Sequence, residues 1–557
     1  MGRGPGRSPR FVALLVFAMS IATSALALDR NAFTFTRYDL RVTVAPDKGT
    51  LSAGGSVELR NDSVVPQKDI SLQISSTLEW GSITLDGRPV AHVGQPYTSD
   101  IDHTGVLSEA IVSLQAPVAP GSTVKLNLQY AGTVPRDATR LTRIGTPEAV
   151  ALRSDWDQIG PGFTAVRGLG YVAWYPVSIE AASLSNGTEV FDAIARWKQR
   201  HMASAMDLRI AGVPGTRTVL KPGADASFVI ADLVELPREN AVLLHVAGHT
   251  QLARDYALAT ERALNTTTEW FGAPKQKLTI VELTNPDALP YDSGTFLFTP
   301  LKQTPSVALE VALARVAARA SIDSPRPWIR EGLATFAQAL VRERQQGRRT
   351  ALAYLNQFVN ALAAAEAQPS RTGEASSKHV AQSLVTSNDE LFYRTKAAFV
   401  WWMLRDMLGA GALKTAIANY RAADDREPAY MQRLLEAASR RSLEEFFDSW
   451  VYRDRGLPDL RVDTANVRQT LPASEKSPAA YVAAITVENG GDVWTEVPVV
   501  VRGPSGERSA RIAVAPKSKA VARIGLPETP TSVVVNDGSV PEPEVSNNRF
   551  EFKPASQ

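Results

Sequence analysis

Residues 327–336 read Pro327-Trp328-Ile329-Arg330-Glu331-Gly332-Leu333-Ala334-Thr335-Phe336, with Trp328, Ile329, Leu333 and Phe336 recurring at helical steps. That spacing predicts a helix with one buried face, running on to about residue 344. Working outward, apolar helical patterns precede it over 252–271 and 306–321 and follow it over 350–366, 389–408, 413–420, 430–439 and 443–452. Gly272 marks the stop of the first. Between these lie a strand pattern at 277–283 and a second at 294–298, while the polar stretch 368–377 reads as a surface loop.

Beyond this helical block the period changes to two on both sides. Residues 33–36, 38–44 and 124–130 alternate apolar and polar, as strands of an all-β region do, and a further strand pair at 227–233 and 241–246 closes it. After residue 460, patterns at 481–487, 497–501, 508–514, 518–524 and 532–535 are spaced by turn residues, which predicts a small β-sandwich of immunoglobulin-like type. The expected fold is multidomain α+β. Its divisions are an export segment at 1–27, a β-rich domain at 28–249, a helical domain at 250–459 and the sandwich at 460–557.

The 557 residues, 44% hydrophobic and 21% charged, exceed what one core accommodates and exclude a disordered or collagen-like chain. Arg3, Arg7 and Arg10 precede the apolar run 11–24, and Ala25-Leu26-Ala27 completes an export signal cleaved after Ala27. The expected location is periplasmic or extracellular. Without the three arginines the chain is nearly neutral, which argues against nucleic acid as a partner. No later apolar run reaches the roughly 18 residues of a membrane span. The chain has no cysteine, so it has neither disulfide nor thiolate metal site.

Five segments resemble the gluzincin aminopeptidases, the membrane alanyl aminopeptidase family. The stretch 327–336 is similar to that family's W-L-N-E-G-F-A-x-Y segment, whose Glu, here Glu331, is the third zinc ligand. Tyr393-Arg394-Thr395-Lys396-Ala397-Ala398 is similar to Y-x-K-G-A, whose Tyr, here Tyr393, stabilises the oxyanion. The strand 277–283 resembles the one before the family's active site, and Trp174-Tyr175-Pro176 and Met206-Asp207-Leu208 resemble its N-terminal β-domain.

Such a catalytic zinc needs three protein ligands and an open position for water. The family takes two of them from an H-E-x-x-H helix. The six histidines here are His92, His103, His201, His245, His249 and His379, and none is followed by Glu. Counting back from Glu331 places Leu309 and Leu313 over the ligand positions and Glu310 over the general base, with a gap one residue shorter than the family's. Glu331 and Glu310 are then either vestiges of the site or ordinary helix residues, the first favoured near a helix N-terminus and the second paired with Arg319 or Arg326. Tyr393 has one residue too many before Lys396. His245 and His249 stand four apart, but strand pattern before them and Gly248 between them argue against a shared ligand face.

The resemblance therefore implies a degenerate zinc site, with no cofactor expected and zinc only if a relocated site exists. The leading expectation is a non-catalytic peptide- or protein-binding homologue. In the family an edge strand holds substrate by main-chain hydrogen bonds, and Ser293, Gly294, Thr295 and Phe296 are the candidates for it. The alternatives are a metallopeptidase with an atypical site and an envelope protein acting through the sandwich.

Overall fold

The computed structural model describes residues 2, 28–366, 383–387, 389–453, 455–470 and 480–552. The apolar run and cleavage site of the expected export segment, the loop 368–377 and His379 lie outside the described residues. Among the described residues no helix is long and apolar enough to cross a membrane.

The N-terminal region is built on a six-stranded sheet in which Phe33–Ala45 pairs antiparallel with Thr50–Asn61 and in parallel with Ala205–Ile210. A three-stranded sheet of Gln67–Ser75, Val106–Val118 and His92–Thr98 contributes to the same core. The region is β-rich but not all β. Glu189–Arg200 is a helix, burying Val190, Ala193 and Trp197 at positions i, i+3 and i+7, one stripe of an otherwise polar cylinder.

The middle of the chain forms a five-stranded mixed sheet beneath helices. Its elements are β1 (Val234–Pro237), β2 (Ala241–His245), β3 (Leu278–Glu282), β4 (Tyr291–Ser293) and β5 (Phe296–Thr299). The order is β1-β2-β3-β5-β4, so β4 is an edge strand. Residues 241–244 pair in parallel with 278–281, and this sheet therefore crosses the expected division at 249/250. The stretch 294–298 is not one strand: Gly294, at φ 56°, opens a two-residue turn with Thr295, and Ser293 pairs with Phe296 across it. A positive φ at the first turn position suits glycine and a tight hairpin.

Helices α1 (Thr250–Phe271), α2 (Ser306–Ser321), α3 (Pro327–Gln346) and α4 (Ala397–Leu408) carry the main packing. Trp328, Leu333 and Phe336 of α3 are fully buried, and Trp328 stacks on Trp401 of α4 with ring centres 5.0 Å apart. Gly332 permits this approach: a Cβ there would stand 2.6 Å from that of Ala397 and 2.9 Å from Trp401 Nε1. The expected helix 350–366 is divided into Arg348–Asn356 and Val359–Glu366, with Asn356 Nδ2 donating to Leu352 O and Gly538 O at the break. The helix before α4 begins as a π-helical turn, Leu391–Lys396, which absorbs an extra residue.

After residue 460 the chain makes two antiparallel sheets. One is Leu460–Thr470, Ala480–Asn489 and Ser518–Leu526; the other is Gly506–Val514, Thr495–Gly503, Ser532–Val535 and Arg549–Glu551. Their inward residues, among them Ile485, Val499 and Val533, belong to the same continuous core as α1 to α4. Glu542 is buried at the entry to this unit, accepting from Leu460 N, Asn536 Nδ2 and Asn548 Nδ2.

Two outcomes follow from this packing. Gly332→Ala should cost about 1–3 kcal/mol in urea unfolding, because α3 and α4 must separate to admit the methyl group. Burial pushes the Glu542 carboxyl up from 4.5 to about 7, so the fold favours its neutral form. Stability from this group is then full below pH 4.5 and lost as pH rises through about 7. Thermal unfolding followed from pH 5 to pH 8 should show the decline, and Glu542→Gln should flatten it.

Candidate functional site

In α2, Arg315 and Arg319 lie one turn apart and face the same way, toward α3. Glu331 of α3 stands 16 positions after Arg315 and 12 after Arg319. It receives Arg319 Nε at 3.1 Å on Oε1, and on Oε2 one terminal nitrogen of Arg319 at 2.5 Å and one of Arg315 at 3.5 Å. Arg330 Nε lies 3.4 Å from Oε1, and Arg394 Nε, from the π-helical turn, 3.7 Å from Oε2. Burial acts to raise the Glu331 carboxyl, but Arg319, Arg394, Arg315 and Arg330 outweigh it and hold it well below the usual carboxylate range.

Asp292 of β4 is the second acid of this cluster, bonded by Arg319 and 3.5 Å from Arg315 Nε. Burial opposes its ionisation, yet Arg319, Arg315 and Arg394 lower it from 3.8 to about 2. The strand's alternation sends Tyr291 and Ser293 to its other face. There Ser293 Oγ donates to Asp225 Oδ2 at 2.6 Å and the Tyr291 hydroxyl donates to the same oxygen at 3.2 Å. Asp225 belongs to the N-terminal region, where it also pairs with Lys221 and, at 3.3 Å, with Lys198. The three residues of β4 are thus held between the two halves of the molecule.

Tyr393 is buried on the π-helical turn with its hydroxyl pushed upward by burial and by Glu390 nearby; Glu331 is a further neighbour. The extra residue before Lys396 is taken up by that turn, and Tyr393 stays beside Glu331. Lys396 is buried and donates to Glu366 at 2.6 Å.

Glu310 is elsewhere. It lies roughly 140° around α2 from Arg315 and roughly 180° from Arg319, at about 100° per residue. There it pairs with Arg262 of α1 and accepts from Ser306 Oγ at 2.8 Å and from Gln345 at the far end of α3. Its partner is neither Arg319 nor Arg326; the latter bonds Asp425. Leu309 and Leu313 are buried in the core. The pair facing Glu331 is therefore Arg315 and Arg319, and not Leu309 and Leu313. A signal was present: two arginines four apart in an alanine-rich helix are buried only when paired.

Of the edge-strand candidates, Ser293 is the last residue of β4, Gly294 and Thr295 form the turn, and Phe296 opens β5. The edge itself is Tyr291–Ser293. His245 ends β2 with Nδ1 donating to Val246 O at 2.8 Å, while His249 closes a short turn before α1 and pairs with Glu282.

The zinc that the resemblance implies does not fit these residues. Among the described residues no three His, Cys, Asp or Glu side chains group so as to hold a metal ion. Glu331 and Asp292 are each saturated by guanidinium groups, which carry protons on every nitrogen and offer no lone pair.

The chain matches no protein-family profile and no curated protein sequence. Among solved structures it is similar in outline to a mutant M1 zinc metallopeptidase from Deinococcus radiodurans, at 17% identity and a TM-score of 0.45, over 77% of this chain and 96% of that one.

Removing the Glu331 carboxylate would leave buried guanidinium groups unpaired, so Glu331→Ala should lower stability by about 3–5 kcal/mol in urea unfolding. Because the Asp292 pKa is depressed, its contribution is present above pH 3.8 and lost as pH falls through about 2. Acid unfolding monitored by circular dichroism should weaken over that window, and Asp292→Asn should remove part of the dependence.

Proposed function

We propose that the chain is an exported, non-catalytic homologue of the gluzincin aminopeptidases that binds peptide segments along β4, with an immunoglobulin-like sandwich at its C-terminus. The observation that supports the reading most is what surrounds Glu331, the residue that the resemblance matches to the family's third zinc ligand. Arg315 and Arg319 face it, and an arginine pair can neither hold zinc nor lower the pKa of a water.

The substrate-holding element is retained where the chemistry is not. A strand with an unpaired edge offers main-chain donors and acceptors to an extended peptide, and β4 is such a strand, fixed on both faces. A peptide added to it would lie between the N-terminal region and α2.

Isothermal titration of the full mature chain with a tetrapeptide library should give saturable binding. The same preparation, after dialysis against one equivalent of zinc, should retain none by mass spectrometry and leave aminoacyl fluorogenic amides uncleaved. Stoichiometric zinc, or cleavage that disappears in Glu310→Gln, would replace this reading with that of an atypical metallopeptidase.

A further inference from the structure

The charges around β4 do not balance. Among the described residues on its Asp292 face, four guanidinium groups, Arg315, Arg319, Arg330 and Arg394, meet three carboxylates, Glu331, Asp292 and Glu390. We propose that the surplus of guanidinium beside Asp292 binds a carboxylate of the peptide lying on β4, a step that rests on the peptide-binding reading above.

Three features carry it. First, the Nε groups of Arg315 and Arg394 are buried and donate no hydrogen bond to any of the described residues, although carboxylates stand at ion-pair distances of 3.5 and 3.7 Å. Buried donors without acceptors are rare, because each forfeits the hydrogen bonds it had in water. Second, the cations crowd one another: Arg315 is lowered by burial and then by Arg394 and Arg319, and an added anion relieves that repulsion. Third, the cluster can be reached. Arg330 and Arg394 keep 37% and 28% of their side chains exposed, whereas Glu331 beneath them keeps 10%.

Carboxylate suits the site better than a neutral group does. Guanidinium donors meet its two oxygens in one plane, and charge-assisted bonds of this kind are about twice as strong as neutral ones. Asp292 projects from β4 into the same cluster, so a strand paired with β4 has its neighbouring side chains or its end beside the arginines. A free amino terminus would instead meet like charge. The polarity of recognition is thus the reverse of a site that grips an amine.

The test is calorimetric titration of the full mature chain with three probes: tetra-alanine with a free C-terminal carboxylate and acetylated N-terminus, its C-terminal amide, and the acetylated amide Ala-Ala-Glu-Ala. At least one carboxylate-bearing probe should bind about tenfold or more tighter than the neutral amide. Which one does so separates a chain terminus from an acidic side chain as the source. The difference should vanish in Arg394→Gln and in Arg330→Gln; the latter side chain is the more exposed and carries the test if the former fails to fold by circular dichroism. Equal binding of all three probes would overturn the carboxylate site and leave the β4 reading standing. No binding by any probe would overturn both.

Discussion

A carboxylate taken out of water costs several kcal/mol unless cations come with it, and a buried cation is no cheaper. Glu331 resolves this for four arginines drawn from α2, α3 and the π-helical turn before α4. Those elements are separate in sequence and each is apolar on its packed face, so hydrophobic burial alone would let them slide. The directional fork of Arg319, with Glu331 on one side and Asp292 on the other, fixes α2 against both α3 and the sheet edge.

Much of the helical packing is legible in the sequence. The helices over 252–271, 306–321 and 430–439 follow directly from apolar periodicity, because each presents a long uninterrupted stripe. The helix Glu189–Arg200 does not show in the periodicity, since its stripe is only three residues within a polar segment. The hairpin at Gly294 reads in sequence as one strand, because a single glycine inside an apolar run does not by itself declare a turn. The arginine pair was the larger omission. Arg315 and Arg319 carry a sequence signal, two arginines four apart among alanines, but nothing in that spacing names Glu331 as their partner.

The alternation of β4 gives a strand of three residues an influence beyond its length. One face is bonded to Asp225 and the other to Arg319, so any shift of β4 disturbs charges in two regions together. Arg167 adds to the first face, stacking over Tyr171 at 3.4 Å with Tyr291 alongside at 5.4 Å. A strand anchored on both faces in this manner is held in place before anything pairs with it.

The continuous core shared by α1 to α4 and the two C-terminal sheets bears on how this architecture can change over time. Trp450 donates through its indole to Trp494 O, and Arg348 spans Asp406 and Asp537, so the junction is packed and charged as an interior is. Loss of the sheets would bare on the helices the apolar surface they now cover, so they are not a loose appendage.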